Sequence, residues 1–142
     1  MVSGLARQID RERIVRAIER AERSTSGQIR VSLAPRFWGS VRKAAEKAFV
    51  RLGMTNTPDR NAVLIFVVPS RREFAILGDQ AVHEKVGQEF WDRVSVAMST
   101  RIGSGGLTEG IVHGIEEAGR ELATHFPPRA EPSPGLPNAV DE

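Results

Sequence analysis

One continuous apolar segment limits the possible folds of this chain more than any other feature. Residues 62–68, AVLIFVV, contain no polar side chain and show no alternation of polar and apolar residues. A strand of this kind is buried on both faces, so it belongs in the middle of a sheet with helices on each side. The segment is too short for a membrane helix, which needs about 20 apolar residues.

The neighbouring segments predict the order of the other elements. Periodicity and capping residues indicate a helix after Asp10, a strand over 28–33, a helix after Ser40, a strand over 73–77, a helix over 81–98 and a helix after Thr108. The short turn between the second and third strands implies an antiparallel hairpin, whereas a helix between the first two strands makes them parallel. We therefore predict an α/β protein, a three-layer α/β/α sandwich with a small mixed sheet in the order α-β-α-β-β-α-α.

Length and composition limit the classes of protein that fit. The 142 residues favour one α/β domain over residues 1–126, followed by a proline-rich extended or disordered tail over 127–142. The sequence has no cysteine, which excludes disulfides and thiolate metal sites. A net charge of only +2 makes nucleic-acid binding an unfavoured function. Because the chain shows no apolar leader and no membrane span, we expect a cytoplasmic protein without a membrane partner.

The predicted strand directions bring several polar side chains to one edge of the sheet. The first two strands begin at this edge, and the antiparallel third strand ends there. The side chains that meet at this edge are predicted to be Glu22, Gln28, Asn61, Asp79, His83 and Glu84. Parallel strands more often bind ligands outside their carboxyl ends, where Arg36, Arg71 and Arg72 are expected, so both edges are candidate sites.

Four segments together resemble the TPM domain family, and in particular its short, soluble bacterial members. They are AIERAERSTSGQIRVSL, AFVRLGMTNTPDRNAVLIFVV, EFAILGDQAVHEKVGQEFW and GIVHGIEEAGRELATHFP, and the resemblance covers residues 10–126. It implies an α/β/α sandwich, and some members of the family bind divalent metals and have acid phosphatase activity. By this resemblance, Glu22 and Asp79 would hold a Ca, Mg or Mn ion, Gln28 and Asn61 would orient water, and Asp79, His83 and Glu84 would be the catalytic residues.

The chain departs from the family pattern at the positions that matter for a metal. The family usually has Ser-Gly-Glu where this chain has Ser26-Gly27-Gln28, and it often has Asn-Gly where this chain has Asn61-Ala62. The tail segment GLPNAV lacks the acids of the corresponding family motif. Hard divalent cations prefer charged oxygen ligands. We therefore expect a weak or vestigial metal site and, at most, a phosphatase-like hydrolase.

Two alternatives follow from the same residues. Asp79 is also in position to cap the helix that follows it. As a function, the alternative is a non-catalytic module that binds a protein partner through the loop containing Phe37 and Trp38, or through the arginine-rich face of the first helix. For that helix face, the intervening glutamates favour a solvated, ion-paired surface.

Overall fold

The computed structural model describes residues 9–104, 106–130, 136 and 138–142. The helices and strands are α1 (Arg11–Glu22), β1 (Ile29–Leu33), α2 (Val41–Arg51), β2 (Val63–Val68), β3 (Glu73–Gly78), α3 (Gln80–Lys85), α4 (Gln88–Gly103), α5 (Leu107–His125) and β4 (Val140–Asp141). Short 3₁₀ turns cover Met54–Asn56 and Pro69–Arg71. No helix in these described ranges is both long and apolar enough to cross a membrane.

The four strands form one mixed sheet in the order β3-β2-β1-β4. β1 and β4 are parallel, β1 and β2 are parallel, and β2 and β3 are antiparallel. All six residues of β2 are buried. Alternate side chains of β2 join two separate apolar clusters, one against α1, α4 and α5 and the other against α2. The predicted α/β/α class, the central strand and the three predicted strand directions are therefore confirmed.

The first two predicted helix caps are formed. The side chain of Asp10 accepts a hydrogen bond from the backbone N–H of Arg13, and Ser40 accepts one from Lys43. The helix predicted over 81–98 is instead two helices, α3 and α4, because the chain adopts an extended conformation at Val86. This break buries the Val86 side chain, and the following Gly87 has a low preference for helix.

The end of the chain adds a strand that periodicity did not indicate. β4 is only two residues long. The side chains of Asp141 and Glu142 attach it to β1, α2 and α1. Asp141 accepts hydrogen bonds from Ser32 at 2.8 Å and from Arg51 at 2.9 Å, and Glu142 accepts one from Arg11 at 2.7 Å. The hydrogen bonds from Arg51 hold the pKa of Asp141 below its ordinary value. β4 thereby covers an edge of β1 that would otherwise expose unpaired backbone groups.

The division of the chain at residue 127 stays a prediction. Residues 131–135 and 137 of the predicted tail lie outside the described residues.

Helices α4 and α5 approach closely at Gly110. A Cβ at this position would lie 2.6 Å from Cγ1 of Ile102 and 3.2 Å from the carbonyl oxygen of Met98. Both distances are shorter than van der Waals contact, and the second atom belongs to the backbone and cannot move aside easily. The packing of these two helices therefore requires glycine at this position.

We expect Gly110→Ala to lower the free energy of unfolding by about 1–3 kcal/mol relative to a matched variant, because it overpacks the helix interface. The matched variant is Gly103→Ala, where a Cβ would meet no atom within 4 Å. Urea unfolding of both proteins measures the difference. Equal stabilities would contradict the close approach of the two helices.

Candidate functional site

The strand register brings the predicted polar residues to one edge of the sheet. Ile29 pairs with Val63, and Val63 pairs with Gly78, so the residues just outside these positions share the edge. The backbone N–H of Asp79 donates to the carbonyl oxygen of Ala62 at 2.9 Å. We call Glu22, Gln28, Asn61 and Asp79 the polar rim.

Asp79 is buried and paired with an arginine. Its side chain is 6% exposed, and both carboxylate oxygens accept hydrogen bonds from Arg60, at 2.6 Å from Nε and 2.9 Å from Nη2. The hydrogen bonds to Asp79 raise the pKa of Arg60 above its ordinary value. Asp79 occupies the N-cap position of α3, but its side chain makes no capping hydrogen bond. The predicted capping role is therefore wrong, because the guanidinium group takes both oxygens.

Glu22 is also paired with an arginine. One of its oxygens accepts from the backbone N–H of Ile29 and from Nη1 of Arg30, each at 2.8 Å. Arg30 is itself buried within β1, with 8% of its side chain exposed, and its Nη2 donates to the carbonyl oxygen of Leu136 at 2.6 Å. Glu22 therefore joins the end of α1 to β1 and balances a buried positive charge.

The two amide side chains of the polar rim hold neighbouring segments together. Gln28 Oε1 accepts from the backbone N–H of Leu136 at 2.6 Å, and Asn61 Nδ2 donates to Ser26 Oγ at 3.1 Å. Both residues are buried. In this arrangement, Gln28 fixes part of the chain end against the sheet, and Asn61 fixes the loop before β1.

His83 and Glu84 lie on α3, close in sequence to Asp79, with exposed side chains. The backbone N–H of His83 donates to the carbonyl oxygen of Asp79 at 2.9 Å. Within the described residues, neither side chain has a hydrogen bond or ion pair with the carboxylate of Asp79. The structure therefore brings these two residues to the same edge but gives them no contact with the polar rim's carboxylates.

As arranged, the donors of the polar rim do not fit a divalent cation. Both oxygens of Asp79 and one oxygen of Glu22 accept hydrogen bonds from guanidinium groups, so a cation bound by Asp79 would have to displace Arg60. Across the described part of the chain, no group of three His, Cys, Asp or Glu side chains could hold a metal ion. The metal, water-orienting and catalytic roles that the family resemblance implies for this edge stay predictions.

Sequence reasoning missed the two arginines that fill this site. Arg60 lies just before β2, and Arg30 is a charged residue within the buried strand β1. A charge in a buried strand requires a partner of opposite charge. That rule could have indicated the pair formed by Arg30 and Glu22.

At the opposite edge of the sheet, the loop after β1 is held by Arg71. The Phe37 ring packs edge-on against Phe66, with 6.4 Å between the centroids, and the Arg71 guanidinium lies 5.3 Å from the Phe37 centroid. Arg71 also donates to the carbonyl oxygens of Phe37 at 3.2 Å and Gly39 at 2.9 Å. Because these two carbonyls flank Trp38, the backbone on both sides of the tryptophan is fixed.

Trp38 projects from this fixed loop into solvent. Its exposed fraction is 88%, and the guanidinium of Arg36 lies 5.3 Å from the centroid of its ring. The residues 35–39, which we call the Trp38 loop, lie outside the carboxyl ends of the parallel strands β1 and β2. Sequence reasoning did predict this loop as a candidate site, because two adjacent aromatic residues follow a strand-ending proline.

The ion pair between Arg60 and Asp79 yields a stability prediction. We expect Arg60→Ala to lower the melting temperature by several degrees, because it leaves the buried Asp79 carboxylate without its counterion. Arg129→Ala is the matched control, since Arg129 forms an ion pair with Asp59 in which both side chains are well exposed. Calorimetry on the two variants makes the comparison. Equal decreases in melting temperature would show that the buried ion pair contributes no more to stability than the exposed one.

Comparison with known proteins agrees with this fold. The sequence profile of the TPM domain family (TPM phosphatase) matches residues 4–121. The NMR structure of the BA42 protein from the psychrophilic bacterium Bizionia argentinensis is similar, with a TM-score of 0.85, 36% identity and 94% of each chain covered.

A second solved structure is similar in fold alone. The N-terminal domain of a protein from P. gingivalis has a TM-score of 0.68 and 16% identity, covering 90% of this chain and 84% of that one. No curated protein is similar enough to match. From the profile match and the BA42 structure together, we conclude that the chain belongs to the TPM domain family.

Proposed function

We propose that this TPM domain is a non-catalytic protein-interaction module that binds a partner through the Trp38 loop, and that its polar rim is structural. The observation that carries the proposal is the exposure of Trp38. Among the described residues, the exposed large hydrophobic side chains are Trp38, Val50 and Val96, and Trp38 is both the largest and the most exposed. Tryptophan is enriched among the residues that dominate binding energy at protein interfaces.

The Trp38 loop is already ordered for binding. Arg71 holds the carbonyl groups on both sides of the tryptophan, and Phe37 anchors the loop to the apolar cluster under α2. Ordering a loop on binding costs free energy, and a loop fixed in advance avoids most of that cost. The loop also occupies the edge at which α/β sheets most often bind their ligands.

The charges around the Trp38 loop indicate the chemistry of the partner. Arg36 lies against the indole ring, and Arg42 and Lys43 follow in the first turn of α2 with exposed side chains. The nearest acid in sequence, Glu46, lies further along α2, and Glu73 is already paired with Arg71. A complementary partner would therefore offer an apolar pocket for an indole ring, surrounded by Asp and Glu side chains.

A weak divalent-cation site with phosphatase-like hydrolysis is the second candidate function, and membership of the TPM family supports it. In that function, Asp79, His83 and Glu84 would be catalytic and a Ca, Mg or Mn ion would be the cofactor. It requires that the cation displace Arg60 from Asp79. Hydrolysis of p-nitrophenyl phosphate that depends on added metal and disappears in Asp79→Asn would favour this candidate. A cytoplasmic location also stays a prediction.

A photo-crosslinking amino acid placed at position 42, exposed in the first turn of α2 three residues after the Trp38 loop, leaves Trp38 in place and tests the interaction module in cells. We expect it to capture one dominant protein that the same amino acid at position 96 does not capture, because Val96 is exposed on a different element. The captured protein is then purified and its affinity measured. Trp38→Ala is expected to weaken binding by about 30-fold, the effect of losing a central interface residue.

The same variant separates a binding role from a folding role. Because Trp38 is exposed, Trp38→Ala is expected to change the free energy of unfolding by less than about 0.5 kcal/mol. Crosslinking at position 42 no stronger than at position 96, or an unchanged affinity of Trp38→Ala for the purified partner, would contradict the proposal.

A further inference from the structure

A groove between α1 and α5 collects positive charge on a surface separate from the Trp38 loop. Its volume is about 510 Å³. α1 contributes Arg13, Arg16 and Arg20, whose spacing of three and four residues puts them on one side of the helix. α4 contributes Arg101, and α5 contributes His113 and Glu116. We call this the arginine groove.

One of the four arginines is already neutralised. Arg13 forms two hydrogen bonds with Glu109 of α5, one of them 2.9 Å from Nη2 to Oε2. These hydrogen bonds hold the pKa of Glu109 below its ordinary value. The pair bridges the two helices and neutralises the charge of Arg13.

The other three arginines have no comparable partner among the described residues. Arg16 lies 3.6 Å from Glu12 of its own helix, where both side chains are exposed. The Arg101 side chain donates to the carbonyl oxygen of Ala97 in its own helix, at 3.3 Å. Within the described ranges, no carboxylate lies within ion-pair distance of Arg20.

Glu116 is the one carboxylate that the groove offers to these three arginines, and within the described residues it too has no ion pair. Arg20 and Arg101 are therefore two guanidinium groups without an ion pair among the described residues, and Arg16 has only the exposed Glu12.

We propose that the arginine groove binds a small dianionic oxyanion, either a phosphomonoester or a dicarboxylate. The two negative charges of a dianion would pair with Arg20 and Arg101, the two groove arginines that have no ion pair among the described residues. Guanidinium groups donate paired hydrogen bonds to oxyanions, and His113 lines the same groove as a further polar group. The volume lies within the range of about 300–1,000 Å³ that is usual for small-ligand sites. A nucleic-acid strand fits less well, because Glu12 and Glu19 interrupt the basic surface of α1.

The test is an NMR titration at low salt with two probes, phenyl phosphate and succinate. We expect saturable amide shifts at residues 13–20, 101 and 113–116. The double variant Arg20→Gln/Arg101→Gln should weaken binding on the order of tenfold or more, because it removes two charged donors. Lys47→Gln, which removes one charge from an exposed position on α2, should leave binding unchanged.

Glu116→Gln gives a prediction of the opposite sign. Removing the one carboxylate that competes with the ligand should tighten binding by about twofold to fivefold. A purely structural role for these residues would not produce tighter binding. Phenyl phosphate binding more tightly than succinate would assign a phosphomonoester, and the reverse order would assign a dicarboxylate.

Three outcomes would overturn the proposal: no saturable shift at the groove with either probe, equal weakening by Lys47→Gln and the double variant, or tighter binding of a single-stranded oligonucleotide than of both small dianions. None of these variants touches the Trp38 loop. The titration and the crosslinking experiment therefore succeed or fail independently.

Discussion

Burial of both faces of β2 is the constraint on which the rest of the structure depends. An apolar strand of six buried residues needs a helix layer on each side, and it also needs a strand along each edge to satisfy its backbone groups. α1, α4 and α5 cover one face, and α2 covers the other. With β1 parallel and β3 antiparallel to β2, the sheet has two distinct ends: the polar rim lies at one and the Trp38 loop at the other.

The two ends of the sheet differ: the charged side chains of one are paired, whereas the other exposes a large aromatic side chain. Buried charges are costly unless they are paired, and at the polar rim each carboxylate is paired with an arginine. The amides of Gln28 and Asn61 hold chain segments at the same edge. At the Trp38 loop a tryptophan side chain remains exposed, and Arg71 holds the carbonyl groups on either side of it. The first arrangement stabilises the fold, and the second is the basis of the proposed interaction.

Local pattern was enough to predict much of this fold. The uninterrupted apolar run identified β2, the short turn fixed the direction of β3, and Asp10 and Ser40 marked two helix starts. Sequence patterns failed where tertiary contacts decide. β4 has two residues and depends on Ser32, Arg51 and Arg11 from distant segments, and the break at Val86 depends on burial of one side chain. The pairing of Asp79 with Arg60 also depends on strand register and was not predictable, whereas a charge within a buried strand could have indicated the pair formed by Arg30 and Glu22.

Calcium titration of the wild-type protein, followed by the amide resonances of residues 22, 28, 61 and 79, tests most directly whether arginines have replaced a cation at the polar rim. We expect no saturable shift in the wild type at millimolar calcium, because Arg60 holds Asp79 and Arg30 holds Glu22. In Arg60→Ala, we expect calcium to shift the amides of Asn61 and Asp79, because the Asp79 carboxylate is then free. Saturable shifts at these two residues in the wild type would contradict the account and favour a working metal site.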